Sequence, residues 1–299
     1  MTVIYIVNRR GNPSHKITWI IFILIFPVFG ISVFLLWGGG RVFPHLRRKM
    51  EVCESHYLPV LRESDGFLNL TCFRMETKAV LEKAHAYDVS LTAFLCAALM
   101  MALQDMQAEQ VPSLRARKPI RVQIPVNLRK LFPSSTLRNF ALYTTPEIDP
   151  RLGEYSFSEI CQAVKHRMGL DVNPKIMSSR IAVNVSSEKM AVVRIMPLFL
   201  KNAVMKAVFD AVGEKKSCLC FSNLGQVRLP EEMLPFVQRF DFILSAQATA
   251  PQNCSALSFG DHLYINFTRD IREPDLEAHF FRVLRDMGLG LEVQTNSRQ

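Results

Sequence analysis

The chain has 299 residues, 49% of them hydrophobic, with a net charge of +9 at neutral pH. Its mean hydropathy of +0.12 is too low for a polytopic membrane protein, and its length suits one large domain or two ordinary ones. Residues 1–62 hold eight Lys/Arg against two acids, a net of +6, so most of the basic excess flanks the front of the chain. That placement favours anionic lipid headgroups. No basic stripe with interleaved aromatics and no nucleic-acid motif is present, so nucleic acid is not expected as a partner.

The first element is "ITWIIFILIFPVFGISVFLLW", residues 17–37, without a charge. About 20 apolar helical residues cross a bilayer core. Trp19 and Trp37 stand at its ends, where amphipathic rings prefer the interface, and Pro27 would kink it. A signal peptide would have a shorter apolar region and a small-residue cleavage site; here Gly38-Gly39-Gly40 is followed by Arg41. The reading is a single-pass membrane anchor. Three bases precede the span and four follow it closely, a slight bias that puts the C-terminal part in the cytoplasm. Seven scattered cysteines fit a reducing compartment and read as small buried apolar residues.

The character changes between residues 51 and 65, read as a linker, and residues 66–299 read as a globular lobe. The pattern predicts a strand over 66–75, a helix over 76–87 and a buried helix over 91–103, apolar all round. Ile120, Val122, Ile124 and Val126 alternate along a strand, which Pro125 places at an edge or ends. A further strand covers 139–145. Ser156 and Glu159 form a capping box for a helix ending at Gly169. Residues 194–212 read as a long helix with a solvated stripe of Lys201, Asn202, Lys206 and Asp210. Strands are expected over 217–223, 240–246 and 262–270. Pro274 opens a final helix with Leu276, Phe280, Leu284 and Met287 inward, and Gly288 closes it. The class is α/β, a mixed sheet with packed helices.

Chemistry is not announced by spacing. The seven histidines show no metal-ligand pattern, although His85 has Asp88 three residues on, within reach of a local hydrogen bond. No G-x-S-x-G, G-x-G-x-x-G or phosphate loop occurs.

Two stretches carry resemblances. "YIVNRRGNPSHKITWIIFILIFPVFGISVFLLWGGG", then "LRRKM", resembles the N-terminal membrane module of bacterial cardiolipin synthases over about residues 3–50. That family's phosphatidyl transfer needs two His-x-Lys-x4-Asp motifs, and neither occurs here, so this resemblance implies an anchor at 1–50 in the cell membrane. A cardiolipin-synthase-related role is a further alternative.

"DGFLNLTCFRM", "RVQIPVNLRKLFPSSTLRNFALY" and "SNLG" followed by "LP" resemble the C-terminal half of bacterial alcohol acetyltransferase-like proteins. These belong to the superfamily of CoA-dependent acyltransferases and peptide-synthetase condensation domains. The resemblance implies one chloramphenicol-acetyltransferase-like lobe of a two-lobed fold, with acyl-CoA or a carrier thioester as co-substrate and no bound cofactor. Asn127, Arg129, Asn139, Ser222 and Asn223 would line the channel between lobes; the bland alternative is that they form loops and cap strands. The family's His-His-x-x-x-Asp-Gly motif is absent, and the span stands where the first lobe is expected. Hydroxyl attack on a thioester needs a base. The expectation is therefore an acyltransferase-like protein inactive alone or dependent on a partner lobe. A non-catalytic membrane-anchored scaffold or gene-fusion remnant is the alternative.

Overall fold

The computed structural model describes residues 67–189, 217–245 and 250–296, with five positions between 197 and 206. The chain partitions into two units, Met1–Cys53 and Glu54–Gln299, and all described residues belong to the second. The span at 17–37 with Trp19 and Trp37, the junction at 51–65 and nearly all of the helix expected at 194–212 lie outside the described residues.

The lobe is organised by one helix. Ser90 caps it by accepting the Ala93 N–H, and α2, Leu91–Gln110, follows α1, Thr77–Ala86. Its Ala, Leu, Met and Gln residues are strong helix formers. Nearly every turn is buried, including Phe94, Leu95, Leu99 and Met100. α2 runs to Gln110, seven residues past the expected end at 103, and by length and composition it could cross a membrane, yet 72% of its apolar window lies inside the protein, so it is a core helix, as its all-round apolarity suggests. Two more helices pack against it: α3, Phe157–Asp171, and α5, Asp275–Asp286.

Beneath them lies a mixed sheet. Its strands are β1 Asn69–Glu76, β2 Ile120–Asn127, β3 Ala141–Thr144, β4 Glu147–Ile148, β5 Leu219–Gln226, β6 Gln252–Phe259, β7 His262–Arg269 and β8 Leu291–Thr295. The order is β3-β2-β5-β6-β7-β1-β8, with β4 also on β2. The β2–β5 and β5–β6 pairs are parallel and the others antiparallel. Alternation puts Phe73, Phe221, Ile265 and Phe267 on the helix-covered face. Phe73, Phe267 and Phe280 of α5 meet edge to face with centroids 5.1–5.8 Å apart. Each such ring, fully buried, contributes about 1.5–3 kcal/mol.

Several expectations need correction. β2 is an internal strand. The Val122 and Leu128 N–H groups bond to Pro146 and Phe140 oxygens on the β3–β4 side, so the Pro125 nitrogen faces β5. The β5 ladder ends at Gln123↔Cys220, and the missing donor is needed by neither neighbour. α3 runs through Gly169 to Asp171, because that glycine keeps ordinary helical backbone.

Residues 240–245 are not a strand. They run as an irregular strap over the second face of the sheet, and side chains meet their carbonyls. Ser255 Oγ and Asn266 Nδ2 both donate to the Phe242 oxygen, and Asn253 Nδ2 donates to that of Ser245 at 2.9 Å. Phe240 and Phe242 pack on Leu257, Phe259 and Tyr264 beneath. The apolar run is real, but it covers a sheet instead of joining one. β6, β8 and α4, Pro174–Lys189, are additions that the pattern did not announce.

Beside its packed Met177 and the Arg180 bond to the Tyr143 oxygen, α4 is tied down by one carboxylate. Asp171 at the end of α3 is buried; it accepts Thr144 Oγ1 at 2.6 Å, Arg167 Nε at 3.0 Å and Arg180 Nη2 of α4 at 2.9 Å. Replacing Asp171 with Ala strips three donors of their acceptor. We expect a loss of about 1–3 kcal/mol in urea unfolding, since both arginines keep partial solvent access. A change within about 0.5 kcal/mol would show that the junction is held by packing alone.

Candidate functional site

Parallel pairing of β2 with β5 makes both strands leave the sheet at the same end. At the end of β2, Asn127 Oδ1 accepts the Arg129 N–H at 3.0 Å and starts a 3-10 turn, Leu128–Lys130. The Arg129 guanidinium then reaches across the loop to the Thr136 oxygen at 2.8 Å and the Arg138 oxygen at 2.6 Å. Asn139 lies exposed in the same loop.

The end of β5 is bulged. Its register with β6 shifts between Asn223 and Gln226, and Gly225 has φ +79°, a backbone conformation that L side chains rarely adopt. Asn223 Oδ1 accepts the Gly225 N–H at 2.8 Å, while Nδ2 donates to Thr92 Oγ1 in the first turn of α2 at 3.1 Å. Half-buried Ser222 stands opposite Ser255 of β6. The bulge leaves Leu224 60% exposed. Bulges recur beside functional sites because they re-aim side chains.

The five residues singled out thus gather at one end of the sheet in two groups, Asn127, Arg129 and Asn139 on a loop and Ser222 with Asn223 on the adjacent strand. Asn127, Arg129 and Asn223 close turns and staple elements there. Thr92, which anchors Asn223, was not singled out; its only sequence signal is its place in a first helical turn.

Four histidines are described. His262 Nε2 lies 2.9 Å from Arg74 Nη2, whose guanidinium can only donate, so the ring nitrogen accepts. Asp88, which sequence spacing puts within reach of His85, pairs with Lys165 and carries the left-handed φ of +54° that ends α1; the ammonium holds its carboxyl below the ordinary range. His85 and this pair line an open cleft of about 550 Å³. His166 is exposed on α3.

His279 is buried on α5. Its Nδ1 meets the Asp275 oxygen at 2.7 Å, and Nε2 lies between Arg282 Nη2 at 3.0 Å and Glu109 Oε1 at 3.1 Å. The hydrogen bond holds the Glu109 carboxyl below its usual range, whereas burial raises that of Asp105 nearby. This His–Glu contact, joining residues 170 apart, gave no local sequence signal. It belongs to a separate cleft of about 420 Å³ between α2 and α5.

Cys220 is the other nucleophile to consider, two residues before Ser222. Burial pushes its thiol from 9.0 up to about 11, so it is protonated near neutrality.

Comparison with known proteins bears on the fold. Residues 1–39 match the Phospholipase_D-nuclease N-terminal family. No curated protein matches the chain. Among solved structures it is similar to a nonribosomal peptide synthetase bound to α-methyl-L-serine-AMP, with a TM-score of 0.52 and 14% identity over 82% of this chain and 25% of that one. It is also similar to trichothecene 15-O-acetyltransferase from Fusarium sporotrichioides, with a TM-score of 0.52 and 11% identity over 81% of this chain and 50% of that one. The chain therefore spans a quarter to a half of these relatives' lengths, and at such identities the likeness is one of fold. It combines a segment similar to the Phospholipase_D-nuclease N-terminal family with a lobe whose fold is shared with these two proteins.

Two outcomes check the site. Arg129→Ala should speed amide exchange over residues 131–139 while leaving the melting temperature within a few degrees, because the bonds it loses are exposed. Iodoacetamide should modify Cys220 about a hundredfold more slowly at pH 7.5 than an ordinary cysteine, and faster with each pH unit up to about 11, as mapped by peptide mass spectrometry.

Proposed function

We propose that the chain is a membrane-anchored, acyltransferase-like lobe that presents an acyl thioester, borne by CoA or a carrier, to an alcohol, and that a second lobe completes its site. One observation carries this reading. β2 and β5, parallel neighbours, deliver a stapled loop and a glycine bulge to one end of a sheet. The fold is one shared with a peptide synthetase and an O-acetyltransferase.

The chemistry sets what is lacking. The alcohol oxygen attacks the thioester carbonyl, the C–S bond breaks, and the hydroxyl proton ends on the departing sulfur. A base within about 2.6–3.2 Å of that hydroxyl supplies roughly 10²–10⁴-fold of rate. Among the four described histidines none hydrogen-bonds the five residues singled out: His262 stands at the same end of the sheet, beyond β6, but is engaged by Arg74, His85 lines the cleft beside the first turn of α2, and His279 is held between α2 and α5. The sequence holds no adjacent His-His pair. The base in this reading is an imidazole of the partner lobe. Asn223, through Thr92, fixes the bulge that faces it, and residues 17–37 tether the lobe to the cell membrane with its face in the cytoplasm.

A second reading, a non-catalytic anchored scaffold, draws support from the way Asn127, Arg129 and Asn223 spend polar atoms on closing turns.

The full chain in detergent, with acetyl-CoA and a panel of alcohols, is expected to release no CoA above buffer. Adding a first-lobe protein that carries the His-His-x-x-x-Asp-Gly motif should bring turnover, and replacing that motif's second histidine with Ala should abolish it. Turnover by the chain alone would overturn the reading. No turnover with any complementing lobe would leave the scaffold as the better account.

A further inference from the structure

The loop over residues 128–140 and helix α4 form one continuous projection. Leu131, Phe132 and Phe140 of the loop pack with Met177 and Ile181 of α4 in a small cluster of their own. The outer side of this projection has an unusual make-up. Leu137, at the loop tip, is fully exposed, and Val183 (62%), Ile176 and Val185 are exposed along α4. Residues 128–140 and 172–189 contain six bases, Arg129, Lys130, Arg138, Lys175, Arg180 and Lys189, against one acid, Glu188 near the end of α4. The neighbouring acid, Asp171, is buried and already engaged by Arg167 and Arg180.

A solvated face would mix charge signs and hide such residues. A predominantly basic surface studded with aliphatic side chains complements a layer of lipid phosphates over acyl chains. Its sign matches the +6 carried by residues 1–62, so both parts of the chain favour the same kind of surface. The Arg129 staple across the loop and the Asp171–Arg180 pair under α4 keep the projection in shape.

We propose that this projection docks on an anionic lipid surface, with Leu137 entering the headgroup layer and Lys130, Arg138 and Lys175 meeting phosphates. This is a contact of the lobe itself, in addition to the anchor, and it does not depend on the acyl-transfer reading.

The test is amide exchange on the full chain reconstituted in nanodiscs of phosphatidylcholine, with and without phosphatidylglycerol. Residues 131–138 should exchange several-fold more slowly in the anionic discs, and the protection should vanish in about 0.5 M NaCl. The triple variant Lys130→Ser, Arg138→Ser, Lys175→Ser alters exposed side chains only, so its melting temperature should hold. Each base removed should weaken the contact about fivefold. Equal exchange in both kinds of disc overturns the proposal. So does protection that survives salt and the triple variant, which would mark the face as a protein interface.

Discussion

The lobe depends on the burial of α2. A helix that is apolar on every side must be surrounded, and here the sheet, α3 and α5 surround it. That demand sets the rest. β1, β6 and β7 each turn alternate residues toward it, and α5 closes it with Phe280 and Leu284. The first turn of α2 is also where Asn223 is tied, so the helix that organises the core fixes the bulge of the candidate site. Stability and site geometry therefore share one element.

The two faces of the sheet are built differently. The helix-covered face is mostly hydrocarbon and ring, with a buried ion pair, Arg269 with Glu277 of α5. The other buries Asn253, Ser255 and Asn266, whose side chains hydrogen-bond the carbonyls of a strap without regular structure. A buried irregular segment must have its polar backbone satisfied by something, and these residues do it. This explains why polar side chains stand in the middle of central strands.

Elements with a clean period were legible. Alternation along Ile120–Val126, the capping box at Ser156 and the inward face of the last helix were all readable from spacing. β6 was not, because its Asn253, Ser255 and Ser258 hide an interior strand behind polar letters. The strap erred the other way: "FDFILSA" has strand composition, yet nothing in its spacing says that it will lie across a sheet. α4 carries apolar residues on its packed side, Met177 and Ile181, and on its exposed side, Ile176, Val183 and Val185, so no clean helical period was visible. For the candidate site, the resemblance pointed to residues that the fold gathers at one end of the sheet, since "PVNLR" and "SNLG" mark the exits of two parallel neighbours. It could not show that Asn223 leans on Thr92, or that Glu109 meets His279, because contacts between distant residues leave no mark on local spacing.

The account stands on the end of the sheet where β2 and β5 emerge. The direct measurement is amide exchange on the full chain with and without a non-hydrolysable thioether analogue of acetyl-CoA. Protection centred on residues 126–129 and 222–225, with the α2–α5 cleft unchanged, is the predicted result. Protection around Glu109 and His279 alone, or none at saturating analogue, would contradict it.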